Sequence, residues 1–210
     1  MYIPKHFADI NTDEIVSFMT EYSFGTIITA QNNIPLATHL PFVVSQQDGT
    51  ITLTSHFAKA NHQWMDIEEQ RVLVIFSEPH AYISPKHYES ELSVPTWNYI
   101  AVHAYGRCQL VTDERAVFEV LETMIDTYER EYAKQWDNIP VDYKVKMSKG
   151  IVAFRITVDG ISAINKLSQN KKETERQRII DYLGNSEDSN ERAIAHCMKQ
   201  NENTIRHDNS

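Results

Sequence analysis

The sequence predicts a mainly β fold of the α+β class, an antiparallel barrel with helices confined to its ends and outer surface. Three observations favour this class. About six strand patterns follow one another along the 210 residues, short polar turns join several of them, and helices with one apolar stripe interrupt or follow them. Strands joined by short turns form antiparallel sheets, which helices can cover on one face.

The first half of the chain alternates one helix with several short strands. Asn11 and Glu14 have the spacing of a capping box, and the apolar stripe after them predicts a helix. The turns at 31–33 and 46–49 are rich in Asn, Gln, Asp and Gly, which favours hairpins. The predicted elements are a helix over 12–23, strands over 26–30, 35–44 and 50–55, a short helix over 58–66 and a strand over 71–76.

The second half begins with the longest predicted strand, which runs from about Trp97 to Val111. Pro95 favours its start there, because proline holds Val94 extended and cannot donate a ladder hydrogen bond. The later elements are helices over 113–132, 172–183 and 191–200 and a strand over 151–158. We expect a barrel domain over 1–170, including the N-terminal helix and the helix at 113–134, and a C-terminal helical extension over 171–210 with a frayed end.

Composition and charge limit the function classes. A net charge of -9 and a pI near 5.4 argue against a protein that holds duplex DNA by general phosphate attraction. Cys108 and Cys197 lie far apart and nothing resembles a secretory signal, so we expect a reducing, cytoplasmic location. Because no apolar run reaches the roughly 18 residues that span a bilayer, we expect no membrane association.

The start of the long strand carries a cluster of aromatic and amide side chains. Trp97 and Tyr99 should lie on one face and Asn98 on the other, because successive strand residues point to opposite sides. Rings with a neighbouring amide suit a flat ligand with polar edges. An aromatic sheet face packed on a helix is the structural alternative.

Five segments together resemble the PaiB-type transcriptional repressors, the FMN-binding negative regulator family. They are Met1-Tyr2-Ile3-Pro4-Lys5-His6-Phe7, His56-Phe57-Ala58-Lys59-Ala60-Asn61 with Gln63-Trp64, Ala81-Tyr82-Ile83-Ser84-Pro85, Val94-Pro95-Thr96-Trp97-Asn98-Tyr99 and Lys166-Leu167-Ser168-Gln169-Asn170. His62 departs from the family pattern, in which proline is expected. The resemblance implies an FMN-binding split β-barrel, a homodimer, and negative regulation of sporulation and protease production.

The resemblance also implies which residues contact the cofactor. The segment from His56 to Asn61 follows a strand and is predicted to open a helix, whose free backbone N–H groups, with nearby hydroxyls, are donors that a terminal phosphate needs. Lys59 is the predicted cation. Lys166 is predicted to meet a phosphate or a flavin edge. The full set of predicted cofactor-binding residues is Thr54, Ser55, His56, Lys59, Asn61, Trp97, Asn98, Tyr99, Lys166, Ser168, Gln169 and Asn170. The alternatives are that Lys59 is a solvated lysine and that the segment from Lys166 is a polar loop capping the next helix.

A flavin-dependent oxidoreductase, or a haem-binding or haem-degrading enzyme with indirect effects on transcription, is the alternative function. Related split barrels include haem-binding members, although the sequence does not identify an axial histidine. No histidine or cysteine spacing fits a zinc site, and we identify no catalytic nucleophile or acid–base set. Direct DNA binding is possible, but the charge does not support it.

Overall fold

A computed structural model of the chain describes residues 1–4, 7–8 and 11–208. Within these residues the chain forms six α-helices and seven strands. The helices are α1 (Thr12–Glu21), α2 (Glu114–Tyr128), α3 (Ala133–Asn138), α4 (Val141–Ser148), α5 (Glu173–Gly184) and α6 (Ser189–Asp208). The strands are β1 (Phe24–Gln31), β2 (Ile34–Pro41), β3 (Val43–Gln47), β4 (Thr50–Ala58), β5 (Arg71–Ile83), β6 (Thr96–Val111) and β7 (Ile151–Lys166).

The strands form one sheet in the order β2-β1-β5-β6-β7-β4-β3. The pairings β1–β2, β1–β5, β3–β4 and β4–β7 are antiparallel. Both hairpin turns use residues that tolerate positive φ: Asn32 and Asn33 at 51° and 62°, and Asp48 and Gly49 at 50° and 77°. Two consecutive positive φ values match the twist of the flanking strands, and the Asn and Asp-Gly residues therefore fix the register of each hairpin.

The described chain divides into two compact units. The larger unit consists of Thr12–Phe76 and His103–Ser162. Its core contains four fully buried phenylalanines, and Phe154 packs against both Phe42 and Phe57. One face of α2 is buried, since Val120 and Met124 cluster with Val43 of β3. These contacts bury apolar surface on both sides of the β3–β4 hairpin, the main stabilising contribution there.

The smaller unit consists of Met1–Asn11, Ser77–Val102 and Ala163–Ser210. Here α5 and α6 pack against each other through buried aliphatic side chains such as Ile180 and Ile194. Arg176 on α5 forms a largely buried ion pair with Glu202 on α6, which joins the two helices through charge as well as apolar contact. Burial of the facing sides of α5 and α6 therefore stabilises the helical pair that the sequence predicts at the C-terminus.

Most predicted elements occur in the predicted order, but the single strand predicted over 35–44 is wrong and several lengths differ: two strands occur there, β2, which pairs with β1, and β3, which pairs with β4. β5 and β7 continue to Ile83 and Lys166, well beyond the predicted 71–76 and 151–158. The predicted helix over 58–66 is wrong: β4 extends to Ala58, and only one-turn 3-10 helices occur at His62–Trp64 and Ile67–Glu69. The strand continues because Ala58 pairs with Ile151 of β7. α3 and α4 were not predicted, and α6 remains helical past Gln200, where we expect fraying.

None of the helices in the described part of the chain is both long and apolar enough to cross a membrane.

We predict that Gly106→Ala destabilises the larger unit. A Cβ at this position in β6 would lie 2.3 Å from the carbonyl oxygen of Thr157, a backbone atom that cannot move aside without shifting its strand. Overpacking of this kind costs about 2 kcal/mol of unfolding free energy or more. Urea unfolding followed by tryptophan fluorescence measures the loss. Gly184→Ala is the control, because its Cβ meets nothing closer than 3.9 Å; equal stability of the two variants would contradict the prediction.

Candidate functional site

The end of β4 carries the first group of predicted cofactor contacts on two different faces. Thr54 and His56 lie on one face of the strand and Ser55 on the other, as strand alternation requires. Ser55 is fully buried and its hydroxyl donates to the carbonyl oxygen of Pro41 at 2.7 Å. His56 places Nδ1 3.3 Å from the sulfur of Met124, and burial lowers the pKa of its imidazole. Ser55 therefore supports the strand, whereas Thr54 and His56 share a face with α2.

Lys59 and Asn61 lie in the turn that follows β4. The Lys59 ammonium is 4.4 Å from the centre of the Trp64 ring, and it forms no ion pair within the described residues. Two backbone N–H groups of the turn are already occupied: that of Lys59 donates to the carbonyl oxygen of Gly150 and that of Asn61 to the carbonyl oxygen of Ala58. The phosphate-binding helix N-terminus expected from the sequence is absent here, so an anion at this turn would be held mainly by side chains.

Gln63 anchors this turn from inside the larger unit. Its amide nitrogen donates to the carbonyl oxygens of Ile27 and Leu36 and to the hydroxyl of Thr29, at 3.1 to 3.3 Å. Its amide oxygen accepts from Thr38 at 2.6 Å, and the side chain is only 7% exposed. A buried amide whose nitrogen and oxygen are both hydrogen-bonded holds a chain segment in one position, because each lost bond would leave a buried polar group unpaired.

A cleft of about 420 Å³ lies beside Thr54 in the larger unit. Hydroxyl side chains from three elements line it, and Arg155 of β7, directly across from Thr54 in the sheet, is its only cation. Arg155 forms no ion pair within the described part of the chain. Sequence reasoning missed this arginine, although the alternating Thr50, Thr52 and Thr54 were a visible signal of a hydroxyl-lined strand face.

The aromatic residues at the start of β6 form an open surface in the smaller unit. Trp97 is 52% exposed. The ring of Tyr82 meets it edge-on at 5.8 Å, and the imidazole of His80 lies 5.9 Å away. The alternative in which Trp97 is covered by a helix therefore does not hold within the described residues. The exposed indole is available for stacking against a flat ring.

Asn98 lies on the opposite face of β6 and is fully buried. Its side-chain oxygen accepts a hydrogen bond from the hydroxyl of Ser168 at 3.0 Å, and its nitrogen faces the sulfur of Met198 at 3.6 Å. Ser168 has a φ of 62°, a left-handed conformation that is uncommon for serine. The Asn98–Ser168 bond thus helps to fix a strained turn after β7.

Lys166 and the residues after it surround a cavity of about 220 Å³. The Lys166 ammonium donates to the hydroxyl of Thr96 at 2.5 Å and lies 5.9 Å from the centre of the Tyr99 ring. Four of the predicted contacts, Asn98, Lys166, Ser168 and Asn170, line this cavity. Gln169 instead bonds to the backbone of Asn165 and Leu167. The prediction from sequence missed Tyr88, Thr96 and Lys171, which line the same cavity.

The Cys108 thiol is not suited to act as a nucleophile. Cys108 is 2% exposed, and burial, with a smaller effect from the charge of Glu68, raises the pKa of its thiol to about 12. It is therefore a protonated, inert thiol at neutral pH. Within residues 1–4, 7–8 and 11–208, no three His, Cys, Asp or Glu side chains come together in a way that could hold a metal ion.

The fold defines the class of protein as a split barrel. The structure is similar to the flavocytochrome Anf3 from Azotobacter vinelandii, with a TM-score of 0.62, 15% identity, and coverage of 78% of this chain and 72% of the other. It is also similar to the FAD and heme binding protein from Mycobacterium smegmatis, with a TM-score of 0.61, 12% identity, and coverage of 80% and 78%. At these identities the similarity shows the fold alone. The predicted fold class is confirmed.

The chain belongs to the family described as "Putative FMN-binding domain", whose sequence model matches residues 1–160. It is 42% identical over 202 residues to "Protease synthase and sporulation protein PAI 2" from Bacillus subtilis, covering 95% of this chain and 97% of the relative. It is 26% identical over 243 residues to an uncharacterized protein from Emericella nidulans, with coverage of 95% and 97%. The predicted family and its FMN type of cofactor are confirmed.

We predict that Gln63→Leu destabilises the protein by about 3 kcal/mol, because it leaves buried carbonyl and hydroxyl groups without partners. The free energy of unfolding in urea measures the effect. Gln177→Leu, on the exposed surface of α5, is the matched control and should change stability by no more than about 0.5 kcal/mol. A loss at Gln63 as small as that at Gln177 would show that the buried amide does not anchor the turn.

Proposed function

We propose that this protein is an FMN-binding homodimer that acts in the negative regulation of sporulation and protease production. The observation that carries the proposal is the 42% identity to the Bacillus subtilis sporulation protein over 95% of the chain. Identity at this level along nearly the whole length supports a shared role as well as a shared fold.

Within the larger unit, taken by itself, the residues around Lys59 fit a phosphate group such as that of FMN. Lys59 is an exposed cation without a carboxylate partner among the described residues, on a chain whose net charge is -9. An exposed lysine without a carboxylate partner attracts phosphate locally, whereas the carboxylates on the rest of an acidic surface repel it. Thr54, Ser55, His56 and Asn61 complete the proposed phosphate side, in which Ser55 acts by holding the strand.

Within the smaller unit, taken by itself, the residues around Trp97 fit a flavin ring. Trp97 offers an exposed indole for stacking, and Tyr99 lies next to the Lys166 ammonium. Asn98, Ser168, Gln169 and Asn170 supply amide and hydroxyl groups for the polar edge of a flavin. When bound, FMN would supply a redox-active ring system to the protein. The residues named here would bind and orient that ring and would exclude water from one of its faces.

We propose that regulation works through the ligand-bound state of the protein and its partners, without tight general binding to DNA. Two features support this. The net charge of -9 opposes attraction to DNA phosphates. The two consecutive helices at the C-terminus, α5 and α6, bury their facing sides against each other and are joined by the Arg176–Glu202 ion pair, and they form no convincing helix-turn-helix pair. That packing leaves fewer side chains for reading bases.

We predict that Lys59→Ala weakens FMN binding about tenfold and leaves riboflavin binding nearly unchanged, because riboflavin lacks the phosphate that the ammonium would contact. Quenching of flavin fluorescence during titration measures both dissociation constants.

Lys149→Ala is the matched control for Lys59→Ala, since Lys149 is also an exposed lysine of the larger unit. It should leave both constants unchanged. Equal losses of FMN and riboflavin affinity in Lys59→Ala would rule out a phosphate role for Lys59.

A further inference from the structure

The 220 Å³ cavity of the smaller unit is a separate, self-contained site. Its walls come from the N-terminal segment at Phe7, from the start of β6 and from the turn after β7. Its volume lies below the roughly 300–1,000 Å³ that pockets for flavin-sized ligands occupy. It therefore suits a small polyatomic ligand or one end of a larger one.

Tyr88 gives this cavity an unpaired donor. The side chain is only 8% exposed, and its hydroxyl has no hydrogen-bond partner in the described part of the chain. Burial, with a smaller contribution from the charge of Glu175, raises the pKa of this hydroxyl, so that it keeps its proton and can donate. Because buried polar groups are normally paired, an orphan hydroxyl in a cavity wall indicates a missing acceptor.

Two ammonium groups line the same cavity. Lys166 and Lys171 form no ion pair within residues 1–4, 7–8 and 11–208. Lys166 donates to Thr96, and the Lys171 ammonium lies 3.9 Å from the centre of the Tyr88 ring. Burial lowers the pKa of Lys166, which an anion beside it would reverse.

The other groups around the cavity leave it net positive. Among the described residues, the charge of Glu175 acts on Tyr88 and Lys171, but its carboxylate already accepts from the backbone N–H groups of Glu89 and Lys172. The amide nitrogen of Asn98 faces only the weakly accepting sulfur of Met198. The cavity therefore combines two ammonium groups, the unpaired Tyr88 hydroxyl and the weakly bonded amide nitrogen of Asn98. Among the described residues that line it, none supplies an anionic acceptor for these donors.

We propose that this cavity binds a phosphate group through Lys166, Lys171 and the Tyr88 hydroxyl, with Thr96 and Asn98 as further donors. Two cations and several donors match the charge and the oxygen count of a phosphate dianion. The site shares Lys166 and Asn98 with the FMN contacts proposed above and in that respect rests on the proposed function, but it adds Tyr88, Thr96 and Lys171 and assigns the cavity a phosphate group. The phosphate could belong to FMN itself or to a separate phosphorylated ligand.

The test uses inorganic phosphate and the full chain prepared without phosphate or sulfate. Isothermal titration calorimetry should show one phosphate site per chain in the wild type. Lys166→Met and Tyr88→Phe should each weaken it about tenfold, the factor expected when a charge-assisted hydrogen bond is lost. Tyr88→Phe removes a hydroxyl with no partner within the protein, so its fold should be retained.

The controls are Lys199→Met, an exposed lysine of α6, and Tyr182→Phe, a half-exposed tyrosine of α5. Both should bind phosphate like the wild type. Absence of phosphate binding by the wild type, or equal binding by the wild type and both cavity variants, would overturn the proposal.

Titration in the presence of saturating FMN distinguishes the two sources of the phosphate. If phosphate still binds and the cavity variants keep their FMN affinity, the ligand is a separate phosphorylated molecule. If phosphate competes with FMN and the variants lose FMN but keep riboflavin, the FMN phosphate occupies the cavity. Both results support the site. Loss of FMN binding in the wild type alongside intact phosphate binding would contradict the proposed function and leave this inference standing.

Discussion

Both candidate regions depend on one constraint: a polar group that is buried must form hydrogen bonds. In the larger unit, Gln63 uses its whole amide to hold the turn that presents Lys59. In the smaller unit, the buried Asn98 holds Ser168 in a left-handed turn. Tyr88 breaks this pattern, since its buried hydroxyl lacks a partner among the described residues. Nδ1 of His103 and the amide oxygen of Asn165 are also buried without a partner among the described residues, but of the three side chains only Tyr88 lines the cavity of the smaller unit, where such a group points to a ligand.

Local sequence patterns predicted most of the elements and the position of the long strand β6. These features depend on side-chain alternation and turn residues, which can be recognised from a few neighbouring positions. It failed where pairing with distant strands decides length. β7 continues past 158 although Asp159 and Gly160 are poor strand formers. Asp159 accepts from Arg71 on the distant β5, and the same guanidinium lies where a side chain at Gly160 would be. β4 likewise continues to Ala58 because it pairs with β7.

The candidate site could be predicted where it depends on contiguous motifs. The resemblance selected Asn98, Lys166, Ser168 and Asn170, and the structure places all four around one cavity. It could not select Tyr88, which joins them from a segment more than 70 residues before Lys166, nor Arg155, which reaches the hydroxyl-lined cleft through cross-strand pairing. Sequence separation of this kind becomes spatial proximity only once the strands have paired. The prediction of a helix N-terminus at the Lys59 turn was wrong for the same reason, because pairing with the distant β7 extends β4 to Ala58.

The central claim is that this chain binds FMN, and an absorbance spectrum tests it most directly. The protein as purified would be measured alone, after addition of FMN and, separately, after addition of haemin, with unbound ligand removed by gel filtration. The account predicts flavin bands that remain with the protein in a peak of dimer size. A retained Soret band without flavin bands, or no retained chromophore in any sample, would contradict it.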